Sequence, residues 1–310
     1  MTAEPDRRSR LREQRIGRHR LNSPGHFRGS FVALGTVAYA GARVSAHLVD
    51  VTRAEPLLAI DDRITQPVGA IGSLLLLIEV SARLTAGETP FTLLDKVGQP
   101  PSVLRPTGSE PPRGLWSRLK VPALPIVDLA VLVGAVRDPH AINALLHHTT
   151  LAAVRQRAEE LGLRRTALLD FARAARGPDA APHFAVASVG ELAEIFARLQ
   201  RGEIVDRPTS ERVLSWIGGS AETSFIAAAL GSGSTGVGDP SPNDNPSGLH
   251  IVSMVGVEAG MRSEAGLLFG PRGIVAFAVI IEFDRDSMAA QLSVVDTLRV
   301  VGLDLMEYVG

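Results

Sequence analysis

Apolar residues recur along this chain at two different periods, and the switches between them mark out its elements. Over residues 43–51, apolar and polar positions alternate as in a half-buried strand, and a second short strand is expected at 56–60, after a turn at 52–55. Together they predict a β-hairpin ended by Asp61 and Asp62, with a short helix at 31–39 before it. Near the other end, residues 249–255, 265–269 and 274–283 read as three strands, the last two joined by the turn Gly270-Pro271-Arg272-Gly273. Residues 287–309 then return to a helical period, with Leu292, Val295, Leu298, Val301, Leu305 and Val309 on the repeat.

The middle of the chain predicts helices. Residues 72–86 form a strongly apolar one stopped by Gly87, and a further helical stretch begins near Phe91. Prolines and glycines break up residues 98–125, which read as loop. Residues 126–136 are apolar throughout, as a central buried helix would be. More helices are expected at 139–148, at 150–161 with Gly162 as C-cap, at 165–175, at 188–201 with Ser188 as N-cap, and at 208–217 with Thr209 or Ser210 near the start. Residues 231–248 are rich in glycine, serine and proline; with no helix start and no suitable lysine after them, they read as a flexible loop rather than a phosphate cradle.

Composition narrows the function. The 310 residues include no cysteine, which excludes disulfides, thiolate metal ligands and a cysteine nucleophile. The formal net charge is -1, so no global basic field draws the chain to nucleic acid. Residues 1–30 are the exception, with eight arginines against Glu4, Asp6 and Glu13, and they are expected to be a disordered basic tail. The pair Arg7-Arg8 is separated from the apolar stretch at 31–42 by more than twenty residues, poor spacing for a twin-arginine export signal, so a cytoplasmic location is expected. Neither a nucleic-acid nor a membrane partner is expected.

The element order predicts an α/β architecture of the α+β type: a five-stranded antiparallel sheet flanked by helices, plus an all-helical lobe. Residues 31–65 and 218–310 would build the α/β lobe, and 66–217 the helical one. The residues Gln66-Pro67-Val68-Gly69-Ala70-Ile71-Gly72-Ser73, leading into the run Leu74 to Ile78, carry a family likeness. The junction resembles the one where class A β-lactamases and serine penicillin-binding proteins place Ser-x-x-Lys, a nucleophile and an amine one helical turn apart. On that resemblance Ala70 stands for the serine and Ser73 for the lysine, and Leu76 sits a turn beyond Ser73.

Two further motifs align in the same degraded way. Arg137-Asp138-Pro139-His140-Ala141-Ile142-Asn143 is similar to the Ser-Asp-Asn element with its later asparagine: Asp138 and Asn143 match, while Arg137 and Pro139 do not. Ser253-Met254-Val255-Gly256 is similar to the Lys-Thr-Gly strand, with Gly256 alone retained and the cationic anchor lost. The family's deacylating glutamate has no counterpart in Phe171-Ala172-Arg173-Ala174 after Asp170. The resemblance covers residues 31–310 and implies the β-lactamase/transpeptidase fold without its chemistry.

Two functions follow as expectations. One is a non-hydrolytic pseudoenzyme that holds a small molecule or peptide in the inherited cleft. The other is an enzyme of specialised metabolism, such as a lyase or cyclase, working in that cleft without acyl-serine chemistry. The candidate cleft residues are Ser73, Arg137, Asp138, His140, Asn143, Ser253 and Arg262, with His250, Glu258 and Glu264 close to the same strand. No cofactor and no metal are expected: His147 and His148 point apart, and His140 lies roughly 10 Å from His147 along a helix. Glu79 is expected on a helix face that meets solvent or Arg83 four residues on.

Overall fold

The computed structural model describes residues 20–21, 25–87, 96–98, 114–220, 224–230 and 248–310. The expected helix near Phe91, most of the expected loop at 98–125, nearly all of that at 231–248 and most of the expected basic tail lie outside the described residues. The strands are β1 (Arg20–Leu21), β2 (Arg43–Asp50), β3 (Glu55–Ile60), β4 (Gln66–Pro67), β5 (Lys96–Gly98), β6 (Ala123–Pro125), β7 (Ala167–Leu168), β8 (Ala185–Ala187), β9 (His250–Glu258), β10 (Met261–Gly270) and β11 (Gly273–Glu282). The helices are α1 (Arg28–Tyr39), α2 (Ser73–Ala86), α3 (Ile126–Val136), α4 (Pro139–Thr149), α5 (Leu151–Glu160), α6 (Val189–Arg201), α7 (Arg207–Gly218) and α8 (Met288–Val309).

The five expected strands form one antiparallel sheet, and the two-residue β1 lengthens its edge, giving the order β1-β3-β2-β11-β10-β9. Strand alternation gives the sheet two apolar faces. On one, Leu48, Ile251, Val255, Phe277 and Val279 pack beneath Leu34 and Val37 of α1 and Leu298, Val301 and Leu305 of α8. On the other, Val252, Met254, Ala265, Ala278 and Ile280 meet the core of α2, α3, α4, α6 and α7. Burying α2 on nearly all sides makes it the centre of the helical part.

Local chemistry explains most helix ends. Gly87 closes α2 at φ +66, where a side chain would be strained. The Ser188 Oγ accepts the Glu191 N–H at the start of α6, as its Ser-x-x-Glu spacing leads one to expect. For α7 the cap is Asp206, which accepts the Thr209 N–H, so Thr209 donates to the cap and Ser210 lies inside the helix.

One expected helix is absent. Residues 165–175 hold the short strand β7 and an irregular loop. Their backbone groups are claimed by distant partners: the Arg155 guanidinium donates to the Leu168 and Leu169 carbonyls, and the Asn143 amide binds both the N–H and the C=O of Ala172. Tertiary bonds of this kind satisfy the backbone without a helical ladder. The Asp170 carboxylate tightens the same loop by pairing with Arg173 at 2.7 Å and Arg176 at 2.9 Å.

A candidate ligand groove without a nucleophile

The junction that leads into α2 is held by close backbone approaches. Residues Gly69–Gly72 make one 3-10 turn against β9. A Cβ on Gly256 would fall 2.0 Å from the Val68 carbonyl oxygen, and one on Gly72 would fall 2.0 Å from the Ala185 Cβ. Only glycine permits these contacts, so Gly256, the one retained residue of the strand motif, serves packing. The Ser263 Oγ donates to the Val68 carbonyl at 3.1 Å and ties the turn to β10.

This turn presents Ala70, half-buried, whose methyl can neither attack nor take a proton. Ser73 is fully buried, and its hydroxyl donates to the Ala70 carbonyl at 2.8 Å. The next helical turn offers it Leu76 and Leu77, both buried, in place of a base. The whole chain contains two lysines, Lys96 and Lys120, and neither stands on this junction, the α3–α4 corner or β9. The Ser-x-x-Lys pair is therefore absent from this junction.

The α3–α4 corner is built for stability. Arg137 ends α3 at φ +54 and its side chain is half-buried. Asp138, 1% exposed, caps α4 by accepting the His140 and Ala141 N–H groups at 2.9 and 3.0 Å. Its other oxygen accepts the Trp116 N–H at 2.8 Å, which docks residues 114–118 onto the corner. His140 is buried in the first turn of α4. Asn143 spends its amide on Ala172, and His147 lies against the Phe171 ring, where burial pushes its imidazole pKa down.

Two expected cleft residues lie elsewhere. Ser253 and Arg262 occupy the strand parity of Val255 and Glu264, which faces the α1/α8 layer. The Ser253 hydroxyl donates to the fully buried Glu264 at 2.8 Å, and Glu264 also accepts the Ile226 N–H at 2.6 Å. Arg262 lies 5.4 Å above the Phe283 ring, donates to the Glu258 and Met261 carbonyls, and is lowered in pKa by burial. His250 stacks on its cross-strand partner Phe269 with ring centroids 4.1 Å apart. Ser253 and Arg262 follow the two-residue period to the far side of the sheet, whereas His250 and Phe269 share the parity of Met254 on the helical-core side.

Glu258 shares the parity of Met254 and Gly256, on the face that meets the turn at Ala70. There its carboxylate lies 3.2 Å from the Nδ1 of His183, which stands just before β8. The sequence pattern gave no weight to His183, because nothing local joins it to a strand seventy-five positions away. The triplet Asp170, Arg173 and Arg176, spaced three apart, was a readable signal for the loop clip. Glu79 does meet Arg83, at 2.6 Å, and also Arg157, at 2.9 Å. Among the described residues no group of three or more His, Asp or Glu could hold a metal ion.

The groove therefore has the Ala70 turn and the Gly256–Glu258 end of β9 on one side. The 170–184 loop adjoins them through the His183–Glu258 contact and is pinned to α4 through Asn143. A family model for the beta-lactamase enzyme family matches residues 32–309. The chain belongs to that family. Among solved structures, it is similar to a β-lactamase from Sphaerobacter thermophilus, at 19% identity and a TM-score of 0.75 over 92% of this chain and 97% of that one. The penicillin-binding protein PBP-A matches at 16% identity and 0.70 over 93% and 98%, and a β-lactamase from Xanthomonas campestris at 13% and 0.70 over 91% and 97%. These likenesses establish the fold. No curated protein matches the chain.

The loop clip has a pH signature. Burial raises the Asp170 pKa, but hydrogen bonds from Arg173 and the Phe171 N–H, with the charges of Arg173 and Arg176, outweigh it and hold the group below its usual value. A carboxyl depressed in the folded state stabilises the fold above its unfolded pKa, about 3.9, and that contribution is lost as pH falls through the lower folded value. Denaturation of an Asp170→Asn variant is therefore expected to show lower stability at pH 7 and a flatter acid limb than wild type. Parallel wild-type and variant curves between about pH 2 and 5 would refute the clip.

Proposed function

We propose that this protein is a non-hydrolytic, ligand-binding member of the beta-lactamase enzyme family. One observation carries the reading: Ser73, the remaining hydroxyl in the nucleophile–base pair of positions, is buried, bonded to the Ala70 carbonyl and followed by leucines. The retained Asp138, Asn143 and Gly256 support it too, because each keeps a groove wall in place without touching a reacting atom. Such a groove can bind a small molecule or peptide by shape and hydrogen bonding, but has no group to carry an acyl intermediate.

A second reading, an enzyme using other chemistry in the same groove, rests on His183 and Glu258 alone. An ionised carboxylate accepts only, so it selects the tautomer with the proton on Nδ1 and leaves Nε2 able to accept one. That is an oriented base without a partner nucleophile. The readings separate in a thermal-shift screen of β-lactams, short peptides and amino-acid-derived metabolites, followed by mass analysis of every stabilising compound. A ligand at a hundred times its Kd adds about 2.7 kcal/mol to stability. Stabilisation with the compound recovered intact is the expected result, conversion of the compound would favour the second reading, and no stabilisation by any compound would count against ligand binding.

A further inference from the structure

Helix α6 closes over one edge of the large sheet, packing on β2 and β11 with Leu192, Ile195 and Phe196 buried. The approach is tight. The Gly190 N–H donates to the Asp62 carbonyl at 2.9 Å, and a Cβ at Gly190 would fall 2.8 Å from that oxygen. Beside this seam stands a titratable side chain that the groove does not use. His47 lies opposite Ala59 of β3 and Ala278 of β11, on the face that meets the helical core. Its side chain is 15% exposed, and its buried Nδ1 lies 3.5 Å from an oxygen of the Asp62 carboxylate without forming a hydrogen bond. Two residues along the same face, the buried Ser45 hydroxyl also has no hydrogen-bond partner among the described residues.

A neutral imidazole has one N–H to satisfy, whereas an imidazolium has two and a full charge. The seam has little to offer that charge. Asp62 faces it from the connection between β3 and β4 and Glu194 from α6, but Glu194 is already paired with Arg201 at 3.1 Å. Glu191, at the start of α6, accepts the Arg164 and Arg165 N–H groups, and the Arg165 guanidinium donates to the Arg63 carbonyl. On β11, Glu282 is taken by Arg43 and Gln66, while α1 lies on the opposite face of the sheet with no charged residue between Arg28 and Arg43. We propose that His47 is a pH-sensitive latch: its neutral ring fits the closed seam, and its protonation loosens α6 from the sheet edge. Burial pushes the His47 pKa below its ordinary value, outweighing the charges of Asp62 and Glu194, which raise it. A base whose pKa is lower in the folded state contributes stability that is full above its unfolded pKa, about 6.5, and is lost as pH falls through the folded value. Residues 61–68 run from this seam through β4 to the Ala70 turn, so the latch lies on the segment that supports the groove.

Hydrogen exchange of the full-length protein, read by mass on peptides from α6 and corrected for the intrinsic effect of pH, tests the latch. In wild type, α6 is expected to open at least about threefold more readily at about pH 5.5 than at about pH 7.5, and His47→Gln should abolish that dependence. The His47 ring signal, assigned through the backbone of β2, should titrate with a midpoint below about 6.5. Asp62→Asn keeps the carbonyl that Gly190 uses and removes a charge that favours the imidazolium, so it should lower the midpoint further. Should His47→Gln fail to fold, the Asp62→Asn titration decides by itself. Equal opening of α6 at the two pH values, acid loosening that survives His47→Gln, a midpoint at or above about 6.5, or one that Asp62→Asn leaves unmoved would overturn the proposal.

Discussion

Given a chromogenic cephalosporin, the protein is expected to open the β-lactam ring no faster than buffer does, a deficit on the order of a million-fold against an enzyme with its nucleophile and base intact. The size follows from what is missing together. A nucleophile and its base act as a unit, so losing either removes most of the acceleration that both supply. Here the Ala70 side chain has no oxygen, and position 73 offers a hydroxyl already donated to a backbone carbonyl. Restoring the hydroxyl alone, by Ala70→Ser, is therefore expected to give no measurable turnover. Hydrolysis by that single variant at a rate near that of active enzymes would mean that another group serves as base.

Asp138→Ala should produce the largest loss of stability, about 3–5 kcal/mol in chemical denaturation. The carboxylate accepts three backbone N–H groups from two separate segments while almost wholly buried. Removing it uncaps α4 and takes away the acceptor of the buried Trp116 N–H, and each lost charge-assisted bond costs about 1.5–3 kcal/mol. Asp138→Asn should lose less, because one oxygen can still accept from His140 and Ala141. A loss under about 1 kcal/mol for the alanine variant would contradict the view of Asp138 as a structural remnant of the motif. The distinction matters for function: a residue kept for a cap is no sign of catalysis.

Residue patterns exposed the fold wherever local chemistry decides it. Alternation at 43–51, the glycine stop at Gly87, the Ser188 cap and the apolar period of the last helix all depend on neighbours within a few positions, and all have structural counterparts. Residues 165–175 have helical composition, yet Asn143, Arg155 and the clip at Asp170 take up their backbone and side chains from outside, and no local pattern reports such partners. Motif spacing put Ala70 and Ser73 at the start of α2, Asp138 and Asn143 at the start of α4, and Gly256 on β9. It misplaced Ser253 and Arg262 because a strand's period separates two faces without saying which one meets the helical core. His183 joins Glu258 only through folding, and so was invisible beforehand.

The central claim is that the groove retains walls and has lost the means to form an acyl-enzyme. Intact-protein mass after incubation with benzylpenicillin tests it directly. The mass is expected to stay that of the free chain at every time and concentration; a gain equal to one whole penicillin, mapped to Ser73 or any other side chain of the groove, would contradict it.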